Sequence, residues 1–291
     1  MNLAYSLTAY SLNNLRSIPT MHTLLPNSPL RVTLVQNAAG ANQQTNLDWI
    51  EQRLPQCQET DLIVLPEVFA FRGSDEEYRA VAEPLDGPLA HWLQAQAVRA
   101  NTWVLAGSVL ERDGDKVYNT SLLFNRDGQL AATYRKMHLF EARLESGLVI
   151  RESDVYQAGD QPVLVTMESW RCGLSICYDV RFPELYRNYS SQGATLLLIP
   201  ANFTQRTGRD HWETLVRARA IENQCFVLAP DQCGANPHNR CRSYGHSLAL
   251  GPWGETLAAA GDEPAVLQVT LDPDLLRTTR QRIPALAHRR M

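Results

Sequence analysis

Asp61-Leu62-Ile63-Val64-Leu65-Pro66-Glu67 constrains the fold of this chain more than any other stretch. Its apolar residues run on without polar alternation, the pattern of a strand covered on both faces. The run stops at a proline and then a carboxylate. A glutamate directly after a buried strand is a costly placement unless something pairs with it. A salt bridge or helix cap explains Glu67 as well as a chemical role does, and the segment alone does not choose between them.

The neighbouring segments supply the rest of a layered α/β pattern. Leu30 to Gln36 is β-branched and reads as the first strand. Leu47, Ile50 and Leu54 recur at helical spacing, which predicts a helix over Asn46 to Cys57. Pro88 to Asn101 reads as a second helix, with Leu89, Trp92, Leu93 and Ala97 on one face. Trp103 to Val109, Tyr118 to Phe124 and Leu130 to Tyr134 follow as an antiparallel meander, turning at Asn125 to Gly128. Ala142 to Gln157 reads as a long irregular loop, the kind that carries function in compact domains. Beyond a segment centred on Cys177 come a helix (Pro183 to Gln192), a strand (Thr195 to Pro200), a helix (His211 to Gln224) and a strand (Cys225 to Ala229). Strands over Ser243 to Leu250 and Ala265 to Leu271 precede a closing helix capped by Asp272, with Pro273 in its first turn. The expected class is α/β, with a two-layer sheet core covered by helices.

Composition narrows the partners. The 291 residues suit one large domain or two smaller ones, and a core of that size needs no staples. A formal charge of -4 offers no basic footprint for nucleic acid. No apolar run approaches the roughly 20 residues of a membrane span. The first twenty residues lack the early positive charge and apolar centre of a secretory signal. Residues 1–28 are expected to be a loose N-terminal extension and residues 29–291 one domain. The six cysteines show no paired C-x-x-C spacing, which points to reduced thiols in a cytoplasmic protein. Cys233, His238, Cys241 and His246 match no standard zinc spacing, so neither a metal nor a cofactor is expected.

Trp170 to Cys177 is an apolar run that ends in a cysteine and then a polar turn, Tyr178-Asp179-Val180-Arg181. A lone cysteine at such a point reads as inert packing unless a base and a cation stand near it. Glu67, Lys136 and Cys177 each lie just past the end of an apolar strand. If those strands lie side by side, the three side chains converge at one sheet edge. A carboxylate can then take the thiol proton, and a lysine held protonated by acidic neighbours can donate to an oxyanion. The backbone N–H of Tyr178 is a second donor. Lys136 alone reads more readily as a snorkelling surface group than as a functional one. His138 and His211 read as structural hydrogen-bonding groups rather than proton shuttles.

Leu65-Pro66-Glu67, Tyr134-Arg135-Lys136-Met137-His138-Leu139-Phe140 and Cys177-Tyr178-Asp179-Val180-Arg181-Phe182-Pro183-Glu184-Leu185 resemble the three motifs of the nitrilase superfamily of carbon–nitrogen hydrolases. The likeness runs from about Arg31 to Arg290. It implies a four-layer αββα sandwich, with Glu67 as general base, Lys136 as oxyanion-stabilising cation and Cys177 as nucleophile. It also implies a second glutamate that positions substrate and lysine; Glu152 matches that place better than Glu145. Gln232-Cys233-Gly234 and Arg242-Ser243-Tyr244-Gly245-His246-Ser247 are similar to segments of the Nit-type amidase branch, in particular to members acting on deaminated glutathione. The implied substrate is a small amide bearing a 2-oxoacid group, with α-ketoglutaramate or an N-carbamoyl amino acid as alternatives. A catalytically silent scaffold is the reading outside enzymology, and the intact Glu, Lys and Cys set speaks against it. A substrate carboxylate needs a cation or N–H donors. Arg181 is one candidate, although a structural ion pair with Glu184 or another carboxylate is the favoured reading of it; Asn202, Phe203, Arg206, Thr207 and Arg209 are others. Family members commonly form homodimers or larger assemblies, which is the expectation here.

Overall fold

The computed structural model describes residues 25–54, 59–143, 149–238 and 241–290. Most of the expected extension, together with Cys57 and Glu145, lies outside the described residues. Two six-stranded sheets carry the fold. The first is built from β1 (Leu30–Gln36), β2 (Leu62–Val64), β3 (Trp103–Asp113), β4 (Lys116–Phe124), β5 (Leu130–Arg135) and, at its far edge, β14 (Ala265–Leu271), in the order β14-β1-β2-β3-β4-β5. The second contains β8 (Leu164–Met167), β9 (Trp170–Leu174), β10 (Leu196–Leu198), β11 (Phe226–Ala229), β12 (Leu248–Leu250) and β13 (Thr256–Ala259), in the order β13-β12-β11-β10-β9-β8. In each sheet the central strands are parallel and the outer ones antiparallel.

Period-2 alternation in the first sheet explains the layering. Val32, Leu34, Leu62, Val64, Leu105 and Leu123 pack with residues of the second sheet such as Trp170, Leu174 and Phe226 in one core. Val35, Ile63, Val104 and Leu122 point the other way, onto Leu47 and Ile50 of α1 (Gln43–Glu51) and Leu89, Leu93 and Ala97 of α3 (Pro88–Ala100). The outer side of the second sheet is covered by α4 (Pro183–Ser191) and α6 (Glu213–Asn223), through Tyr186, Tyr189, Val216 and Ala220. The sheets are thus flanked by helices, as in an αββα sandwich.

Several element boundaries differ from the sequence-based expectation, each for a local reason. Asn42 caps α1 by accepting from Thr45 N, so the helix begins before Asn46 and ends at Glu51. A short helix, α2 (Asp75–Val81), was not expected. Its signal was present in Ser74-Asp75-Glu76-Glu77, which forms a capping box. The expected loop after Ala142 contains a hairpin of β6 (Glu141–Arg143) and β7 (Val149–Arg151), followed by a 3-10 turn over Glu152–Asp154. Only Leu248–Leu250 joins the sheet from the expected strand Ser243 to Leu250. Ser243, Tyr244 and Gly245 instead donate their backbone N–H groups to Gly234, Phe203 and Gln232, which walls the site described next.

Candidate active site

Glu67 and Lys136 belong to the first sheet and Cys177 to the second. β2 and β5 are separated by β3 and β4, and β9 lies in the other sheet. The expectation that the three strands lie side by side along one edge is therefore corrected: the residues meet across the two layers, at the end of the sandwich.

Two close approaches set the first pair. The chain after β2 runs against β3 at Gly107, where a Cβ would collide with the Leu65 and Pro66 carbonyls. Val68, immediately after Glu67, takes φ 47° and is held by Ser108 Oγ on its N–H at 2.9 Å. A β-branched residue in the left-handed region is strained, and here that strain falls beside a buried carboxylate. Lys136 follows β5, whose last residue, Arg135, is bound to Glu111 and Asp113 and stacked 3.8 Å over Tyr118. Gly159 then passes close enough for its N–H to donate to Lys136 O at 2.8 Å, an approach any Cβ would block at the Arg135 carbonyl.

The Lys136 side chain is fully buried and placed between two carboxylates. Its Nζ lies 2.9 Å from Glu67 Oε1 and 2.8 Å from Glu152 Oε2. Burial pulls the ammonium down, but Glu152 and Glu67 outweigh it and hold the group well above the ordinary lysine value. The two carboxylates therefore favour the charged form of Lys136. Burial pushes Glu152 up, and Glu67 adds to that, while Lys136 and the Phe140 N–H oppose it. That N–H donates to Glu152 Oε2 at 2.7 Å, and Asn119 Nδ2 donates to Glu67 Oε1 at 2.8 Å.

Cys177 is 7% exposed and sits at φ 48°, between β9 and a 3-10 turn over Cys177–Arg181. Its N–H is tied to Pro200 O at 2.9 Å, so the bend is enforced from the neighbouring strand end. Burial pushes the thiol well above its usual range, and the Glu67 carboxylate adds to that; Lys136 pulls it down, Glu152 raises it and the Asn202 N–H lowers it. The resting sulfur is a thiol, and a thiol needs a base before it can attack. Tyr178 N–H precedes the first hydrogen bond of the turn, Asp179 N to Ile176 O at 3.0 Å. It is thus one of the helix-start donors without an intrahelical partner.

Asp179 joins the two halves. Its buried carboxylate accepts from Tyr134 Oη at 2.7 Å, His138 N at 3.0 Å and Ile176 N at 2.8 Å, and contacts His138 Nδ1 at 2.7 Å. The chain around Lys136 and the chain around Cys177 are locked together through this one group. His138 also stacks on Phe182, with centroids 3.7 Å apart, so its role in the fold is structural. Neither Asn119 nor Asp179 was singled out from sequence. Asn119 could have been found as a polar residue in Tyr118-Asn119-Thr120-Ser121, where a β4 strand buried at all four positions forces polar groups inside.

Two cavities meet here. One, of about 520 Å³, is lined by Glu67, Asn119, Glu152 and Ser243 among others. The other, of about 20 Å³, is lined by Cys177, Tyr178, Arg181, Phe203 and Thr207. Phe140, Asn202 and Thr204 belong to both walls. Arg181 faces His211 Nδ1 at 3.3 Å and lies over the Tyr178 and Phe203 rings. The favoured ion pair of Arg181 with Glu184 or another carboxylate is corrected: among the described residues it faces His211 instead. Arg209 is exposed and paired with Asp210 at 3.0 Å, away from both cavities. Cys172, Cys177, Cys225 and Cys233 are free thiols, and among the described residues no cluster of His, Cys, Asp or Glu is arranged to hold a metal. No helix among those residues is long and apolar enough to cross a membrane.

The sequence model of the carbon–nitrogen hydrolase family matches residues 31–281. A deaminated glutathione amidase of Synechocystis is 40% identical over 268 residues, covering 90% of this chain and 98% of the relative. Its counterpart in Yersinia enterocolitica is 38% identical over 266 residues, covering 89% and 92%. The omega-amidase Nit3 of Saccharomyces cerevisiae is 32% identical over 272 residues, covering 90% and 93%. The crystal structure of Saccharomyces cerevisiae Nit3, a member of branch 10 of the nitrilase superfamily, superposes with a TM-score of 0.82 at 31% identity, covering 91% of this chain and 98% of that one.

Proposed function

The chain belongs to the carbon–nitrogen hydrolase family, and from that premise we propose that it is an amidase cleaving deaminated glutathione to 2-oxoglutarate and cysteinylglycine. One observation carries the reaction type: a buried ammonium held between two carboxylates, electrostatically linked to a cysteine in a strained bend. The two amidase relatives at 40% and 38% identity support the substrate.

In this reading Glu67 takes the Sγ proton, and the sulfur attacks the amide carbon. The carbonyl oxygen becomes an oxyanion between Lys136 Nζ and the Tyr178 N–H, donors fixed before the reaction begins. Collapse of the tetrahedral intermediate breaks the carbon–nitrogen bond, and Glu67 returns its proton to the leaving amine. Water, deprotonated in turn by Glu67, attacks the thioester carbon; the thiolate leaves and is reprotonated. Glu152 keeps Lys136 aimed. Arg181, with Asn202, Phe203 and Thr207 beside it, receives the 2-oxoacid carboxylate. The free thiols of Cys172, Cys177, Cys225 and Cys233 support a reducing, cytoplasmic setting.

Incubation with deaminated glutathione should release 2-oxoglutarate, and Cys177→Ala should abolish the release. The omega-amidase name of Nit3 favours a second reading, with α-ketoglutaramate as substrate. Turnover of α-ketoglutaramate without release from deaminated glutathione would select it.

A further inference from the structure

The two cavities divide the site by chemistry. Cys177 and Tyr178, which hold the acyl carbon and its oxyanion, line the smaller one. Glu67, which protonates the departing nitrogen, lines the larger one. The amine half of the substrate therefore lies in the larger cavity. Its volume of about 520 Å³ is that of a site for a whole small molecule, far beyond what ammonia requires.

Arg242 stands in the wall of that cavity with an exposed side chain. Among the described residues no carboxylate is paired with it. Its backbone is fixed, since Arg242 O accepts from Gln205 N at 2.7 Å and the chain bridges to Ala235. The next residue, Ser243, is clamped by Asn202 at 2.5 Å and by the buried Arg72 at 2.6 Å. Arg242 is thus a long cation on a rigid base. Asn236 and His238 line the same cavity, which also carries Arg151 and the acidic groups Asp75, Glu76 and Asp154. An anion is repelled from α2 and from the turn after Glu152, and is attracted to the side of the wall formed by Asn236, His238 and Arg242.

We propose that Arg242 determines specificity by binding the terminal carboxylate of the amine half. The enzyme then prefers 2-oxoglutaryl amides of carboxylate-bearing amines over the simple amide. This rests on the 2-oxoglutaryl amidase reading above. The loss of one charge-assisted hydrogen-bonded pair corresponds to roughly 10- to 100-fold in affinity.

The test compares kcat/KM of wild type, Arg242→Ala, Arg242→Lys and Arg151→Ala on three substrates: deaminated glutathione, its C-terminal carboxamide and α-ketoglutaramate. Arg242→Ala should lower the ratio of kcat/KM for deaminated glutathione over α-ketoglutaramate by roughly 10- to 100-fold, chiefly through KM. Arg242→Lys should recover part of the loss, and the carboxamide should be a poor substrate for wild type and alanine variant alike. Equal losses on all three substrates, no loss on any, or the same selective loss in Arg151→Ala would overturn the assignment. Wild type cleaving only α-ketoglutaramate would instead overturn the substrate reading on which it rests.

Discussion

The surroundings of the Cys177 thiol push it well above its usual range. Burial and the Glu67 carboxylate raise it, and Glu152 contributes in the same direction. Neutralising Glu152 should therefore have two opposite effects. In Glu152→Gln the thiol titrates at lower pH, so alkylation by iodoacetamide at a fixed mildly alkaline pH becomes several-fold faster. Turnover falls meanwhile, on the order of 100-fold, because Lys136 loses one of its two anchors and a small misplacement at the reacting centre is expensive. Alkylation rates measured against pH would show the shift. An unmoved curve would mean that the Glu152 charge does not reach the sulfur, and one displaced to higher pH would reverse the assigned sign. Glu67, Lys136 and Cys177 were legible because each ends an apolar run, whereas Glu152 was legible only through the family resemblance. The roles of Asn119 and Asp179 were harder to see, because Asn119 meets Glu67 across 52 positions and the partners of Asp179 on the Lys136 side lie 41 to 45 positions away.

The elements are positioned by polar ties at their ends as much as by packing. Asp61, just before β2, accepts from Arg31 N at 3.1 Å, Arg31 Nε at 2.9 Å and Arg126 Nη2 at 3.1 Å. The Arg31 side chain, foremost among these, lowers its carboxyl from 3.8 to about 2. A depressed carboxylate stabilises the fold above its unfolded value, and that contribution is lost as pH falls through the folded one. The stability difference between wild type and Asp61→Asn should then be constant at neutral pH and close between about pH 4 and pH 2. Thermal unfolding at a series of pH values reads this directly, and a difference unchanged at pH 2 would refute it. Helix and strand types were mostly readable from periodicity, but their ends were not. α1 is set by the Asn42 cap, and Ser243 to Gly245 spend their backbone groups on the site wall instead of a ladder.

At the scale of the molecule, the sandwich brings together groups that no single sheet could. Glu67 and Lys136 come from one layer and Cys177 from the other, and Asp179 binds the two at the point where they meet. The alternating elements made a covered sheet core foreseeable. That the reacting groups meet across layers was not, because strand order within and between sheets is a tertiary property that local pattern does not encode. The large shared core of the two sheets, from Leu34 and Val64 to Trp170 and Phe226, fixes their separation and hence the reach from base to sulfur. Interiors packed at that density do not deform continuously, so the site is preorganised before substrate arrives. In the proposed reaction this site forms a covalent acyl-enzyme on Cys177. Rapid acid quench of the enzyme with deaminated glutathione, followed by mass spectrometry of the intact chain and its peptides, measures that species. One 2-oxoglutaryl group should appear on the peptide containing Cys177 and be absent in Cys177→Ala. Undiminished turnover in Cys177→Ala, with no adduct on the wild-type peptide, would contradict it.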